Sequence, residues 1–251
     1  MKKETELRAT ERVDDLLTHE LGIIQSDEVF SFSMDAVLLA QFARLPRRGK
    51  VLDLCSGNGV IPLLLSTRTQ AVIEGIEIQP RLADMAQRSI VMNGLQERIT
   101  MRMGDLRELH QEVGYGGYDY ITVNPPYMPL NGSDMKLNTH QAIARHEIHC
   151  TLEEVIQAGA RLLRSGGKLA MVHKPNRLAE IIVMMHKYRL EPKVIRFVHP
   201  RAGLEANMVL IECIRDGKPE VRLQPPLIVY DDQGTYCPEL MEIYYGKEEP
   251  S

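Results

Sequence analysis

Residues 51–59 have the sequence VLDLCSGNG, and this stretch predicts the fold of the chain. It opens with an apolar run, interrupted only by Asp53, that is typical of a buried parallel strand. Gly57 and Gly59 then allow a tight turn and a close approach of the backbone to a ligand. Apolar residues 60–65 follow as a predicted helix. A strand, a glycine loop and a helix in this order predict a site for a nucleotide-like ligand.

The glycine loop lacks the marks of two common phosphate-binding motifs. No Lys-Ser or Lys-Thr pair follows Gly59, so the loop is not a P-loop, and the third glycine of the dinucleotide fingerprint is absent. An ordinary strand–turn–helix unit that binds no ligand is the alternative at this point.

Acidic residues lie at the ends of the next two predicted strands as well. Glu77 ends the strand at residues 71–78, where a carboxylate can accept hydrogen bonds from both hydroxyls of a ribose. Asp105 follows the strand at residues 99–103, where a carboxylate can accept from the amino group of adenine. With Asp53, these acids predict a site for an adenosine-containing cofactor at one edge of the sheet.

Residues 123–127, VNPPY, follow directly on the fourth predicted strand. The side-chain oxygen of Asn124 and the carbonyl oxygen of Pro125 can accept the two hydrogens of a planar amino group. Pro125 and Pro126 hold the backbone in a fixed shape, and Tyr127 offers an aromatic face on which a base can stack. This clamp needs no metal. A turn that merely ends the strand is the alternative, because Asn-Pro and Pro-Pro are common turn signals.

The rest of the chain continues the alternation of strands and helices. It predicts an α/β fold with a seven-stranded, mostly parallel sheet, a terminal antiparallel hairpin and helices on both faces. The predicted strands are residues 51–54, 71–78, 99–103, 118–123, 168–173, 194–199 and 208–215.

Three parts of the chain are expected. Residues 1–30 are a lead-in with a weak helical pattern, and residues 31–215 are the α/β domain. Residues 216–251 are an extension packed on the same domain, with a short strand at residues 227–230. The domain is expected to open with a helix at residues 35–45, which Ser33 caps and Asp35 begins.

Composition is that of an ordinary globular protein. The chain has 251 residues, of which 44% are hydrophobic and 25% are charged. No apolar run approaches the roughly 20 residues of a membrane helix, and the start does not resemble a signal peptide. The cysteines have no zinc-binding spacing, so we expect reduced thiols and a cytoplasmic protein. No carboxylate or cysteine completes a metal site with the histidines at 140, 146 and 149, so no metal is expected.

Charge is unevenly distributed along the chain. The net charge is −4, yet residues 161–201 contain ten lysines or arginines and only two glutamates. A basic face on an acidic body can attract a polyanion such as RNA. The alternative is a solvated surface whose charges cluster by chance.

These motifs resemble those of a known family. The D-L-x-x-G-x-G loop at residues 53–59, with Glu77 and Asp105, resembles class I S-adenosylmethionine-dependent methyltransferases. The N-P-P-Y sequence is similar to the motif of those members that methylate planar nitrogens. Residues 30–35 (FSFSMD) and 144–147 (ARHE) resemble bacterial adenine-N6 methyltransferases that modify the adenosine beside the anticodon of valine tRNA.

The resemblance implies an enzyme that transfers a methyl group from S-adenosylmethionine to N6 of adenosine in tRNA. The implied catalytic residues are Asn124, Pro125, Pro126 and Tyr127. The implied cofactor-binding residues are Phe32, Asp53, Cys55, Gly57, Gly59, Glu77, Ile78, Asp105, Leu106 and Asn124. The expected tRNA-binding residues are Tyr127, Arg145, His146, Lys174, Arg177, Lys193 and Arg201. Two alternatives stay open: a glutamine-N5 methyltransferase of release factors, and a non-catalytic RNA adaptor that binds the cofactor.

Overall fold

The computed structural model describes residues 5–16, 20–29, 33–127 and 150–246. A twisted sheet forms the centre, because five apolar segments pair as parallel strands. In chain order these are β3 (Lys50–Leu54), β4 (Val72–Glu77), β5 (Ile99–Met103), β6 (Tyr118–Val123) and β7 (Leu163–His173).

Two longer strands complete the predicted sheet. Strand β9 (Met208–Arg215) pairs antiparallel with β7, and β8 (Leu190–Arg201) pairs antiparallel with β9. The order across the sheet is β5-β4-β3-β6-β7-β9-β8. The predicted fold class is therefore confirmed. The order reverses at β3, whose neighbours β4 and β6 diverge to either side, and such a switch point is where open α/β sheets bind ligands.

Helices cover both faces of the sheet. Successive residues of a strand point to opposite faces, so Val51 lies in one buried cluster and Leu52 in the other. The helices are α1 (Met34–Phe42), α2 (Val60–Ser66), α3 (Pro80–Met92), α4 (Leu109–Val113), α5 (Leu152–Leu162), α6 (Leu178–Lys187) and α7 (Pro238–Tyr245).

The N-terminal segment differs from its weak helical pattern. Strands β1 (Glu11–Asp15) and β2 (Gly22–Ser26) form an antiparallel hairpin instead. All of β2 is buried, and its backbone is held by α3: Ile24 N–H donates to Ser89 Oγ at 2.9 Å, and Gly22 N–H donates to Asn93 Oδ1 at 3.0 Å. The weak helical pattern does not decide the structure here, because contacts with α3, distant in sequence, hold the segment in strands.

The C-terminal extension adds to the far edge of the sheet. The predicted strand at residues 227–230 is confirmed as β11 (Leu227–Tyr230). Both it and β10 (Arg222–Leu223) pair in parallel with β8. Helix α7 then returns to contact α1, and its Leu240 is buried in the core. Within the described ranges, no helix is long and apolar enough to span a membrane.

Candidate active site

A cleft opens at the carboxyl ends of the central strands. Leu54 pairs with both Ile76 and Val123, so the residues that follow these three emerge side by side. The cleft encloses about 910 Å³ of empty volume, including its solvent-open mouth. Seven of the residues expected to bind the cofactor line it: Cys55, Gly57, Glu77, Ile78, Asp105, Leu106 and Asn124.

Glu77 is a buried acid of this cleft, with 6% of its surface exposed. Its two carboxylate oxygens accept from the backbone N–H groups of Gly57 and Gln79, each at 2.9 Å. Burial raises the pKa of Glu77, and these N–H donors oppose that rise. The carboxylate therefore fixes the glycine loop and still faces the cleft.

The glycine loop itself leaves room for a ligand. Gly57 has a φ of +57°, and a Cβ added there would meet no atom within 4 Å, so the loop presents bare backbone to the cleft. Cys55, just before it, also has a positive φ of 57°. Its thiol hydrogen-bonds Cys150, and this contact, with burial, raises the pKa of Cys55.

Two of the expected cofactor residues, Asp53 and Gly59, do not line the cleft. Asp53 is fully buried and accepts from Ser56 Oγ at 2.7 Å and from Thr122 Oγ1 at 2.6 Å. Burial raises the pKa of Asp53 to about 7. Gly59 packs α2 against α3, because a Cβ there would stand 2.9 Å from the Cβ of Ala86. Both residues shape the loop from the protein side.

Asp105 lines the cleft but already has a cationic partner. Its carboxylate accepts from Arg107 Nε at 3.0 Å and from the backbone N–H of Arg107 at 2.9 Å. Arg107 also pairs with Glu154 at 3.3 Å. Both oxygens of the Asp105 carboxylate therefore accept from Arg107.

The N-P-P-Y turn meets the cleft at Asn124 and Pro126. The Tyr127 hydroxyl points inward, within hydrogen-bond reach of Asp35 Oδ2 and Asn124 Oδ1. Asp35 stands at the start of α1, is 7% exposed, and accepts from Ser33 Oγ at 2.5 Å. Burial, with the Asp35 charge, raises the pKa of Tyr127 well above its ordinary value. The sequence predicted the aromatic ring of Tyr127 but not these bonds of its hydroxyl.

The end of β7 forms the other side of the turn. Val123 pairs with Met171, so His173 lies two residues further along, and its ring meets the Tyr127 ring edge-on at 5.3 Å. Lys174 Nζ lies 5.5 Å from the centre of the Tyr127 ring. The backbone N–H of Lys174 donates to His173 Nδ1 at 2.8 Å, and burial lowers the pKa of His173 to about 4. His173 is therefore neutral with its proton on Nε2, which has no partner in the described part of the chain.

The expected tRNA-binding residues do not form one cluster. Lys174 lies beside the N-P-P-Y turn, while Arg177 pairs with Glu180 at 2.7 Å. Lys193 lies near the start of β8 and donates to backbone carbonyl oxygens of the C-terminal extension. Arg201 lies at the far end of β8, opposite Tyr230 of β11. Phe32, Arg145 and His146 lie outside the described residues.

Several lining residues escaped the sequence reasoning. Ser56 and Asn58 lie inside the glycine loop and carried a signal, since the loop was already identified. Six others lie within two residues of predicted site residues: Ser33, Val60, Ile61, Ile76, Gln79 and Gly104. Only Ala36, Leu82 and Cys150 lie further from them along the chain, and these carried no signal. The lining residues not predicted are Ser33, Ala36, Ser56, Asn58, Val60, Ile61, Ile76, Gln79, Leu82, Gly104 and Cys150. Among the described residues, no group of three or more His, Cys, Asp or Glu side chains is arranged to hold a metal ion.

The sheet order, the glycine loop at its switch point, the buried acid on the next strand and the N-P-P-Y turn together define a class I methyltransferase. Residues 20–189 match the model of the methyltransferase small domain family, and the chain belongs to that family. It is an S-adenosylmethionine-dependent enzyme.

Relatives at moderate identity extend along almost the whole chain. A tRNA1(Val) (adenine(37)-N6)-methyltransferase of Porphyromonas gingivalis is 29% identical over 234 residues, which cover 89% of this chain and 91% of the relative. An enzyme of the same name from Shewanella sp. is 28% identical over 215 residues, with coverages of 84% and 89%.

Solved structures share the fold. A predicted O-methyltransferase of Agrobacterium tumefaciens superposes with a TM-score of 0.69 at 23% identity, covering 85% of this chain and 96% of that one. P. horikoshii TYW2 superposes with a TM-score of 0.59 at 15% identity, covering 84% and 73%.

Proposed function

We propose that the enzyme methylates N6 of an adenosine in tRNA, the adenosine beside the anticodon of valine tRNA. The observation that carries the proposal is the junction of the N-P-P-Y turn with the cofactor cleft, at Asn124 and Pro126. The similarity to tRNA1(Val) (adenine(37)-N6)-methyltransferases supports tRNA as the substrate and position 37 as the target. A tRNA substrate implies action in the cytoplasm.

The residues of the cleft fit S-adenosylmethionine. Gly57 leaves space for a ligand against the backbone, and Glu77 and Asp105 place carboxylates where ribose hydroxyls and an adenine amino group need acceptors. Bound S-adenosylmethionine supplies an electrophilic methyl group on its sulfonium. Ser33 and Ala36 close the cleft from the side of α1.

The catalytic turn acts by positioning the amine. The lone pair of an adenine amino group is delocalised into the ring, so acceptors aimed at its two hydrogens favour a pyramidal nitrogen. The Asn124 side-chain oxygen and the Pro125 carbonyl oxygen take this role, and Tyr127 packs against the base. Methyl transfer makes the nitrogen cationic, and the methylated amine then loses one proton. No strong base is needed, because a cationic amine gives up its proton readily.

We also propose a division of the chain into a lead-in at residues 1–30, a methyltransferase domain at residues 31–215 and an extension at residues 216–251. The pairing of β10 and β11 with β8 supports an extension that belongs to the same folded body.

The test is methyl transfer to valine tRNA with mass-spectrometric mapping of the modified base. We expect one N6-methyladenosine at position 37 and none in a transcript whose adenosine 37 is replaced by guanosine. A release factor is assayed in parallel. Methylation of its glutamine, with no transfer to tRNA, would overturn the proposal, and so would cofactor binding with no transfer to either.

A further inference from the structure

The hydroxyl of Tyr127 has one proton and two oxygen neighbours. Asp35 Oδ2 and Asn124 Oδ1 both lie within hydrogen-bond reach of it. The hydroxyl can donate its single proton to only one of these oxygens. The other side chain must then offer a donor group to the tyrosine oxygen, because two oxygens without a proton between them repel each other. The contacts of Asp35 decide which oxygen receives the proton.

Asp35 behaves as an acceptor toward the groups that surround it. Its Oδ1 accepts from Ser33 Oγ at 2.5 Å and from the backbone N–H of Ala36 at 2.8 Å, and its Oδ2 faces Tyr127. An ionised carboxylate has only acceptors, and it attracts a hydroxyl proton more strongly than a neutral amide oxygen does. The Tyr127 proton therefore goes to Asp35.

The consequence falls on Asn124. The two ends of its amide have nearly the same shape, so the hydrogen-bond network decides which end faces the tyrosine. Once the proton lies toward Asp35, the Tyr127 oxygen is an acceptor and attracts the amide NH₂ group. The carbonyl oxygen of Asn124 then turns away from Tyr127 and into the cleft that the side chain lines.

We propose that Asp35 is a positioning residue which, through the Tyr127 hydroxyl, turns the Asn124 carbonyl oxygen toward the substrate amine. The proposal rests on the proposed function for the identity of that amine. The ring of Tyr127 is held for this role by its edge contact with His173. From the sequence alone, Asp35 was expected only to begin a helix.

Asp35→Asn should reverse the orientation with almost no change of shape. The oxygen of the introduced amide stays with its donors Ser33 and Ala36, so the NH₂ group of that amide faces Tyr127. The Tyr127 proton then goes to the Asn124 carbonyl oxygen and draws it away from the amine. We expect single-turnover methylation of tRNA to fall by about 10²-fold, as for other preorganised polar contacts. Affinity for S-adenosylmethionine should stay within about twofold.

A double-mutant cycle separates this role from support of α1. Tyr127→Phe should also slow the reaction by about tenfold or more, because it removes the hydroxyl relay. When Tyr127→Phe is already present, adding Asp35→Asn should cause no further loss. An equal loss with and without the tyrosine hydroxyl, or a wild-type rate for Tyr127→Phe, would overturn the proposal. The rate of Tyr127→Phe alone tests the proposal even if Asp35→Asn does not fold.

Asp119→Asn is the matched control. The same change of Asp to Asn there removes the charge that pairs with Arg164 at 2.6 Å, but Asp119 lies near the start of β6, away from the cleft. It should lower the midpoint of thermal unfolding and leave the turnover rate at that of the wild type.

Amide NMR tests the orientation without any substrate. With Asp35 present, the Asn124 NH₂ protons should show a nuclear Overhauser effect to the Tyr127 ring, and Asp35→Asn should abolish it. Absence of the effect in the wild type would refute the relay even if tRNA is methylated. Its presence in an enzyme that leaves tRNA unmodified would refute only the proposed function.

Discussion

Glu77 combines two tasks in one side chain, holding the glycine loop and facing the ligand cleft. Its carboxylate accepts from the N–H groups of Gly57 and Gln79. Glu77→Ala should therefore weaken S-adenosylmethionine binding by about 1.5–3 kcal/mol, the range for a hydrogen bond to a charged group. Calorimetric titration measures this.

Glu74 provides the control for that substitution. It lies on the same strand, β4, but pairs with Arg102 at 2.9 Å and accepts from Tyr118 at 3.0 Å, away from the cleft. Glu74→Ala should lower stability and keep the cofactor affinity of the wild type. Equal loss of affinity in both variants would mean that Glu77 acts only through the fold.

Asp53 should make the stability of the protein depend on pH. Its pKa rises from an ordinary 3.8 to about 7 in the folded state, so the folded protein binds its proton more tightly than the unfolded chain does. This group therefore lowers the free energy of unfolding as pH rises from about 4 to about 7. Urea unfolding across that range should show a weaker decline in Asp53→Asn than in the wild type.

The opposite sign is expected at Asp119. Its bonds to the backbone of Lys50 and to Arg164 lower its pKa, so its stabilisation is present above the unfolded pKa and is lost as pH falls through the folded one. Asp119→Asn should leave the decline between about pH 4 and 7 intact. If Asp53→Asn also leaves that decline intact, Asp53 does not cause it.

At the scale of elements, the loop between β3 and α2 depends on two glycines for different reasons. Gly57→Ala places a Cβ in open space, so it should lower the free energy of unfolding by about 1–2 kcal/mol, the cost of the left-handed backbone alone. Gly59→Ala adds an overlap with Ala86 and should cost about 1–3 kcal/mol more. Denaturant unfolding ranks the two.

The affinity for S-adenosylmethionine should also distinguish Gly57→Ala from Gly59→Ala. The Cβ of Gly57→Ala enters the cleft and should weaken S-adenosylmethionine binding in a protein that still folds. Stability equal for both variants would contradict the packing role of Gly59.

The elements of the sheet could be predicted because each apolar run carries its own period and its own end signals. The apolar composition of Val51 and its neighbours predicts a buried strand without any knowledge of what packs against them. The N-terminal hairpin could not be predicted in this way. Val13 is 40% exposed and β2 is buried throughout, so neither strand alternates, and only α3 explains why β2 is extended.

At the scale of the whole molecule, the sequence predicted which strand ends carry residues into the cleft but not which side chains face them. Glu77 and Asn124 could be placed at the cleft because they lie at the ends of their strands, next to recognisable motifs. Asp35 and His173 come from α1 and β7, and only the packed sheet brings them to Tyr127. The basic residues of the stretch 161–201 likewise lie in several separate parts of the fold, although they are close in sequence.

That separation leads to a prediction about tRNA binding. Lys174 is exposed and its Nζ stands 5.5 Å from the Tyr127 ring centre, so under the proposed function it is expected to meet a phosphate near the target base. Lys174→Ala should weaken tRNA binding and reduce the slope of its salt dependence by about one unit, because one phosphate contact is lost.

Lys193 is the matched lysine from the same basic stretch. Its ammonium group donates to the backbone carbonyl oxygens of Lys218 and Glu220, so it holds the C-terminal extension against β8. Lys193→Ala should lower the midpoint of thermal unfolding and leave the salt slope of tRNA binding unchanged. Filter binding of tRNA at several salt concentrations, with a parallel cofactor titration, compares the two variants. If Lys193→Ala lowers the slope as much as Lys174→Ala does, the tRNA must contact the start of β8 as well as the N-P-P-Y turn. The basic stretch would then act as one continuous surface, and the contacts of Lys193 with the extension would have to open when tRNA binds.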